Sequence, residues 1–299
     1  MVALGGNALL RRGQVPDADA QLANIVRAVE ALTPLAHEHD LVITHGNGPQ
    51  VGVLAMESAA DHRLTAPYPF DALGALTQGL IGYWLLQALE NALPGVPVAS
   101  IINQTLVDAA DPAFDDPTKF VGEVYPEQEA AALADRYGWQ VRPDGRGWRR
   151  VVASPRPLAV IESALVRQLM DAGTLVICAG GGGVPVVRGE AGRLLGVEAV
   201  VDKDLTAALL AESLQADQLL VLTDVAAVMH GFGTDDAHPI DRATVAQLRA
   251  EDFPAGSMGP KVDAVCRFVE HTGGTAAIGR LEDAVAMAAG GAGTTVIPA

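Results

Sequence analysis

An α/β sandwich built on a mainly parallel sheet is the fold class this sequence predicts, and three observations predict it. Short apolar runs alternate with segments of helical periodicity along most of the 299 residues, the rhythm of strands crossing back through helices. The runs are apolar at successive positions rather than at every second one, as expected of strands buried on both faces of a parallel sheet. Four of them, "MVALGGNALL", "LVITHGNGPQVG", "LVICAGGGGVPVV" and "LLVLTDVAAV", end in glycine or a turn that opens towards a helix. Ligands of such folds bind beyond the carboxyl ends of the strands, which is where these glycines fall.

Taken in order, the first strand runs into Gly5 and Gly6, and a helix is expected over 20–37. The second strand ends at His45 and leads into "GNGPQVG", where Pro49 suits the first turn of a helix starting at an anion site. That stretch spaces its glycines G-x-G-x-x-x-G, one residue off the dinucleotide fingerprint, and no G-x-x-x-x-G-K-Ser/Thr stretch is present. Further helices are expected over 74–93, 161–172 and 204–214. Residues 103–157 break the rhythm: they hold six of the 18 prolines and two of the three tryptophans, with one clear helix over about 126–137. This segment reads as a subdomain projecting from the ligand edge of the sheet. Its "DGRGWRRVV" is the one dense basic cluster. It is either a turn followed by an arginine-bearing strand or a source of an arginine for an acidic substrate. "HGFGTDDAHPI" reads as a surface turn, and His37 and His39 as the end of a surface helix. His45, beside Gly46, is open between a structural role and a ligand contact.

Composition narrows the function. The formal charge is −16, which repels nucleic acid and anionic membrane, so no partner of either kind is expected. An anionic substrate needs a local concentration of cations. No run approaches the 18 or so uninterrupted apolar residues of a membrane span, and the first residues lack a signal-peptide pattern. Cys178 and Cys266 read as buried, inert thiols rather than a disulfide framework or a metal pattern. A cytoplasmic protein is expected. The histidines show no metal spacing, so no protein-held metal is expected.

Of the 20 basic residues only three are lysines: Lys119, Lys203 and Lys261. A lysine differs from an arginine in being a compact charge on a flexible stem, able to follow a small moving anion. The three are either chance survivors or the places where arginine will not do. Lys203, in "VVDKDLTAALLA", stands at a strand-to-helix junction between Asp202 and Asp204. Asp204 is expected to cap the helix and, on the functional reading, to orient a lysine as well. Lys261, in "GSMGPKVDAVCRFVEH", follows Pro260 in the first turn of a helix, where the macrodipole disfavours a cation; that suggests an anion absent from the sequence. Lys119 lies in the proline-punctuated "DPTK". The opening "VALGGNALL" resembles a phosphate-wrapping turn yet holds no lysine of its own.

Ten pieces in order, "ALGGNALL", "HGNGPQVG", "TQGLIGYWL", "DPTK", "GRGWRRVV", "SPRP", "CAGGGGVPVV", "GVEAVVDKD", "VLTDV" and "GSMGPKVDAV", cover nearly the whole chain. The sequence resembles the carbamate kinases of the amino-acid kinase superfamily. The resemblance implies a three-layer αβα sandwich. An N-terminal lobe, 1–173, would bind the carbamoyl or acyl phosphate and include the projecting segment, and a C-terminal lobe, 174–299, would bind nucleotide. It implies reversible phosphoryl transfer, carbamoyl phosphate and ADP giving ATP and carbamate, in arginine or nitrogen catabolism, by a homodimer. Mg²⁺ would enter with ATP or ADP, held mainly by the nucleotide phosphates.

Residue by residue, the resemblance makes Lys119, Lys203, Asp204 and Lys261 the catalytic set. Gly5, Gly6, Asn7, Gly46, Asn47, Gly48, Gly181 and Gly182 would bind substrate or phosphate, and Thr223, Asp224, Ser257, Met258 and Lys261 nucleotide. Most superfamily members carry a lysine where this chain has Ala3; carbamate kinases are similar to it in lacking one, and supply the charge from the projecting segment. Lys119 is then expected to enter the site as that segment folds over substrate. One departure stands out: Phe232 in "HGFGT" replaces a tyrosine common in the family, on the adenine side. Competing readings are another small-acid kinase of the superfamily and a catalytically idle nucleotide-binding regulator.

Overall fold

The computed structural model describes residues 1–11, 13–253 and 258–298, and the backbone alone of Asn7. Its centre is an eight-stranded sheet. From one edge to the other the strands are Arg242–Thr244, Thr294–Ile297, Thr275–Arg280, Gln218–Thr223, Val2–Leu4, Val42–His45, Leu175–Ile177 and Val98–Ser100. Neighbours are parallel throughout, except that Thr294–Ile297 runs antiparallel to Thr275–Arg280. The mainly parallel sheet is as expected.

Both faces of the sheet are covered, which is why its strands are continuously apolar. Val2, Leu4, Ile43, Leu220 and Leu222 face one core with Ile25, Leu32, Ile81, Leu85 and Leu89 from the helices Ala18–Glu38 and Phe70–Ala92. Ala3, Leu219, Val221, Ala276 and Ile278 face the other, with Ala207, Ala211, Val265 and Phe268 from the helices Lys203–Ser213 and Met258–Thr272. The period-two alternation of strand side chains thus divides one apolar sequence between two cores, giving three layers. The Phe70–Ala92 helix is long and apolar enough by composition to cross a membrane. Here Phe70, Leu73, Ile81, Leu85 and Leu89 are each buried to 1% exposure or less, so the apolar character serves the core. Both cysteines are free and buried, and burial pushes the Cys178 thiol up to about 12, in keeping with inert thiols.

The expected helices form as Ala18–Glu38, Phe70–Ala92, Glu127–Tyr137, Ser163–Asp171 and Lys203–Ser213. Pro49 sits in the first turn of Gly48–Ala60. Within 103–157, the strands Lys119–Tyr125, Gly147–Val152 and Gln140–Asp144 make a separate three-stranded sheet carrying the helix Glu127–Tyr137. Gln104–Val107 belongs instead to a four-stranded sheet with Leu194–Gly196, Val184–Arg188 and Pro157–Val160. "HGFGTDDAHPI" forms the turn and second strand of a hairpin that pairs Val228–His230 with His238–Ile240, with Phe232 73% exposed.

Candidate active site

The parallel register brings four strand ends to one edge. Leu4 lies beside both His45 and Leu222, and Thr223 beside Arg280. The loops that follow pack so closely that side chains do not fit. Gly5 N–H donates to Leu222 O at 2.8 Å and Gly46 N–H to Leu4 O at 3.0 Å. A Cβ on Gly5 would stand 2.8 Å from Leu222 O, and one on Gly46 2.9 Å from Gly6 N. Gly181, Gly182 and Gly183 all have positive φ, the region that glycine enters without strain, and a Cβ on Gly181 would collide with the Asn47 amide. The first, second and third glycine loops therefore touch one another and make one floor. Gly48 opens the helix Gly48–Ala60 on that floor, where first-turn N–H groups have no intrahelical acceptor.

Several residues that the sequence did not single out hold this floor. Ala179, at φ 58, is not a glycine. It is fixed by Asn103 Oδ1, which accepts from Ala179 N at 2.9 Å, and by Thr44 Oγ1, which donates to Ala179 O at 2.7 Å. Thr105 and Thr206 hydroxyls both donate to Gly182 O. Thr77 Oγ1 accepts from the Nδ2 of the expected Asn47 at 2.8 Å. These are single polar residues inside apolar or turn-like stretches, and no spacing marks them. His45 is buried, with Nδ1 3.0 Å from Gly46 O, so it takes the structural role. Burial lowers its pKa to about 4, assisted by the Lys203 charge and opposed by the Gly46 hydrogen bond.

All three lysines of the chain converge beside this floor. Lys203 Nζ is 2.5 Å from Asp204 Oδ1, Lys261 Nζ 3.4 Å from Asp204 Oδ2, and Lys119 Nζ 3.2 Å from Asp202 Oδ2. Lys203 also reaches the glycines, its Cε lying 3.4 Å from where a Gly46 Cβ would be. Asp204 is 3% exposed. Burial alone would raise its pKa, but the two ammonium groups outweigh it and hold the carboxyl below its usual range. Among the described residues, the three lysines of this strongly acidic chain gather around two carboxylates.

The structure corrects one expectation and gives the surroundings of three other features. The cap of the Lys203–Ser213 helix is Asp202, whose carboxylate accepts from Asp204 N and Leu205 N; Asp204 is turned inward to the lysines. Its sequence signal was no weaker than that of Asp204, since both flank the helix start. Lys261 has Asp204 as an anionic neighbour within the chain, shared with Lys203. Lys119 stands beside Asp202 at the start of the strand Lys119–Tyr125. Of the two readings of "GRGWRRVV", the turn and arginine-bearing strand forms, with Arg149 engaging Gly122 O and Asp144, and Arg150 engaging Glu198.

The residues expected at the nucleotide separate. Thr223 and Asp224 line a cavity of about 850 Å³ on the Ala18–Glu38 side of the sheet, with Arg11, Arg27 and Arg280. Met258 packs against the opposite core at the start of the helix that carries Lys261. Ser257 lies outside the described residues.

The amino acid kinase family model matches residues 1–279. The chain is 50% identical over 299 residues to "Carbamate kinase" of Rhizobium meliloti (strain 1021), covering 99% of this chain and 92% of that one. It is 47% identical to "Carbamate kinase" of Escherichia coli (strain K12), covering 99% and 98%. Among solved structures it superposes with TM-score 0.92 on carbamate kinase from Giardia lamblia bound to AMP-PNP, at 39% identity over 100% of this chain and 98% of that one. With its glycine floor and its convergent lysines at the carboxyl edge of a mainly parallel sheet, the chain belongs to the amino acid kinase family, in its carbamate kinase branch.

Proposed function

We propose that this chain catalyses phosphoryl transfer between carbamoyl phosphate and ADP, giving ATP and carbamate, in either direction. The observation that carries the proposal is the convergence of Lys119, Lys203 and Lys261 on Asp202 and Asp204 beside the three glycine loops. The substrate follows from relatives named carbamate kinase at 44–50% identity over nearly their full length.

Phosphoryl transfer asks little covalent chemistry of the protein and much positioning and charge neutralisation. A terminal oxygen of ADP attacks the phosphorus of carbamoyl phosphate, the bond from phosphorus to the carbamoyl oxygen breaks, and carbamate leaves with that bond's electron pair. Carbamate then decomposes to ammonia and carbon dioxide. The loops of Gly5, Gly6, Asn7, Gly46, Asn47, Gly48, Gly181 and Gly182 surround the acyl phosphate, the N–H groups of Gly5, Gly46 and Gly182 holding the floor together through the Leu222, Leu4 and Ala179 carbonyls and the others turning to the phosphate. Lys119 and Lys203 neutralise the transferring group, Lys261 steadies the nucleotide phosphates, and Asp204 orients two of the three ammonium groups. Residues 1–173 then serve the acyl phosphate, and residues 174–299 serve the nucleotide through Thr223, Asp224, Ser257, Met258 and Lys261. Both oxygens of Asp204 are taken by lysines and Asp202 is taken by Lys119 and the helix cap. Mg²⁺ is accordingly a substrate component, carried by the nucleotide phosphates.

The setting assigned to the reaction is the cytoplasm, in arginine or nitrogen catabolism, and the working unit a homodimer. In support of the dimer, the Phe70–Ala92 helix leaves Leu76, Leu80 and Tyr83 exposed at helical spacing, an apolar stripe of the kind that a second copy covers. Coupled ATP formation from ADP tests the function, run with carbamoyl phosphate, acetyl phosphate and N-acetylglutamyl phosphate in parallel. Turnover of carbamoyl phosphate well above the other two is expected. Preference for another acyl phosphate, or ADP binding without turnover of any, refutes the proposal.

A further inference from the structure

The small sheet that carries Lys119 packs on the main body through Val121 and Val152, which share an apolar cluster with Val51, Ala55, Phe70 and Leu73, and a buried arginine adds a polar fastening to that contact. Arg150, on the strand Gly147–Val152, has a side chain only 11% exposed. Its guanidinium lies 4.3 Å from the ring centroid of Trp139, which belongs to the same small unit, and 4.8 Å from that of Phe70, a main-body residue of the cluster into which Val121 and Val152 pack. Its Nη2 stands 2.5 Å from Glu198 Oε1. The other oxygen of Glu198 accepts from Phe70 N at 2.8 Å, at the start of the Phe70–Ala92 helix. One side chain thus links a ring from each body and a carboxylate from a third segment. A lysine could make the ion pair, but only a planar guanidinium also stacks between two rings.

Strand register carries this constraint to the site. Arg150 pairs with Val121, and two residues further Val152 pairs with Lys119. The ladder is interrupted on the other side of Val121, where the register shifts before Val124 and Arg149 Nε donates to Gly122 O. Arg150 therefore fastens the ladder segment that begins with Lys119, at its inner end. The Lys119 side chain itself is loosely held. Its side chain is 44% exposed, and a half-exposed ion pair such as Lys119–Asp202 contributes weakly. Where the ammonium stands is decided by where its strand is held.

We propose that Arg150 is a positioning residue for phosphoryl transfer, which sets the place of Lys119 by clamping the strand pair Lys119–Tyr125 and Gly147–Val152 against Phe70 and Glu198. The proposal rests on the reading of Lys119 as a charge at the transferring group. It assigns Arg150 no contact with substrate.

The test is a double-mutant cycle of Arg150→Met with Lys119→Ala, reading kcat at saturating carbamoyl phosphate and ADP affinity by calorimetry. Arg150→Met is expected to lower kcat about 10- to 100-fold, the scale of a small misplacement of a catalytic group. In the Lys119→Ala background it should change kcat less than about twofold, because coupled residues are not additive. ADP affinity should hold in all four proteins. An equal loss in both backgrounds, or no loss in the presence of Lys119, overturns the proposal. Normal turnover by Lys119→Ala alone refutes instead the charge assignment on which it rests, and that result is visible in the single variant. Should Arg150→Met fail to fold, Glu198→Gln takes its place in the cycle, with the same pattern expected at smaller size and the same outcomes deciding.

Discussion

Replacing Asp204 by asparagine keeps the size of the side chain and removes one charge, at the point where two lysines depend on it. Asp204 is 3% exposed and faces Lys203 at 2.5 Å and Lys261 at 3.4 Å. Deleting one partner of a buried ion pair typically costs about 3–5 kcal/mol. Lys203 and Lys261 retain 11% and 19% side-chain exposure, so water relieves part of the stranded charge and the lower end, about 3 kcal/mol, is the better estimate. For a chain of this length that corresponds to a fall in Tm of about 5 °C. The helix cap is untouched, since Asp202 provides it, so the fall reports the ion pairs alone. Sulfate or ADP supplies an anion to the two ammonium groups and should raise the Tm of Asp204→Asn more than that of the parent. Turnover should fall about 10²- to 10³-fold, the usual loss for a group that organises transition-state charge. The pH dependence has a definite sign. The native carboxyl is held below its ordinary value, so its contribution is complete above the unfolded value of about 3.9 and disappears as pH falls through the depressed native value; Asp204→Asn should lack that part of the acid-side slope. Differential scanning fluorimetry across pH and anion concentration, beside the coupled assay, measures all of this. An unchanged Tm with unchanged turnover would falsify the account, and a lower Tm with no extra response to anions would show that Asp204 matters for packing rather than for charge.

Three further outcomes are expected. Lys203→Arg and Lys261→Arg should each lose most kcat with the fold intact by circular dichroism. The guanidinium is too wide for the space beside Gly46, which Lys203 Cε already fills to 3.4 Å of a virtual Cβ, and parent-like rates in both would return these lysines to ordinary cations. His45, buried with a pKa lowered to about 4, is neutral in the native state and titrates near 6.5 when unfolded. Stability should therefore decline as pH falls from about 6.5 to about 4, by at most about 3 kcal/mol, and the decline should be shallower in His45→Gln by denaturant titration at each pH. Gly181→Ala combines a positive φ with a collision on the Asn47 amide, so it should impair carbamoyl phosphate turnover more than ADP affinity; equal kinetic constants in parent and variant would remove the glycine floor from the mechanism.

What the sequence determined by itself is whatever depends on neighbours along the chain. Continuously apolar runs such as "LVIC" and "LLVLT" announce strands covered on both faces, and helical periodicity set the Ala18–Glu38, Phe70–Ala92 and Lys203–Ser213 helices to within a few residues. The scarcity of lysine singled out Lys119, Lys203 and Lys261 before any geometry, because scarcity is a property of composition. What only the tertiary structure decided is which groups face one another. Asp202 and Asp204 flank the same lysine and read alike in sequence. Yet one turns outward to cap the helix while the other points into the core towards Lys261, 57 positions away, because helix geometry sends side chains two residues apart to different faces. Lys119 and Asp202 are 83 residues apart, and Arg150 finds Phe70 and Glu198 across comparable distances. Asn103 and Thr44, which hold Ala179 at positive φ, bear no local mark at all. Pairings of this kind are fixed by sheet order and strand register, which place residues from remote segments at one edge, and a periodicity read along the chain carries no information about that order.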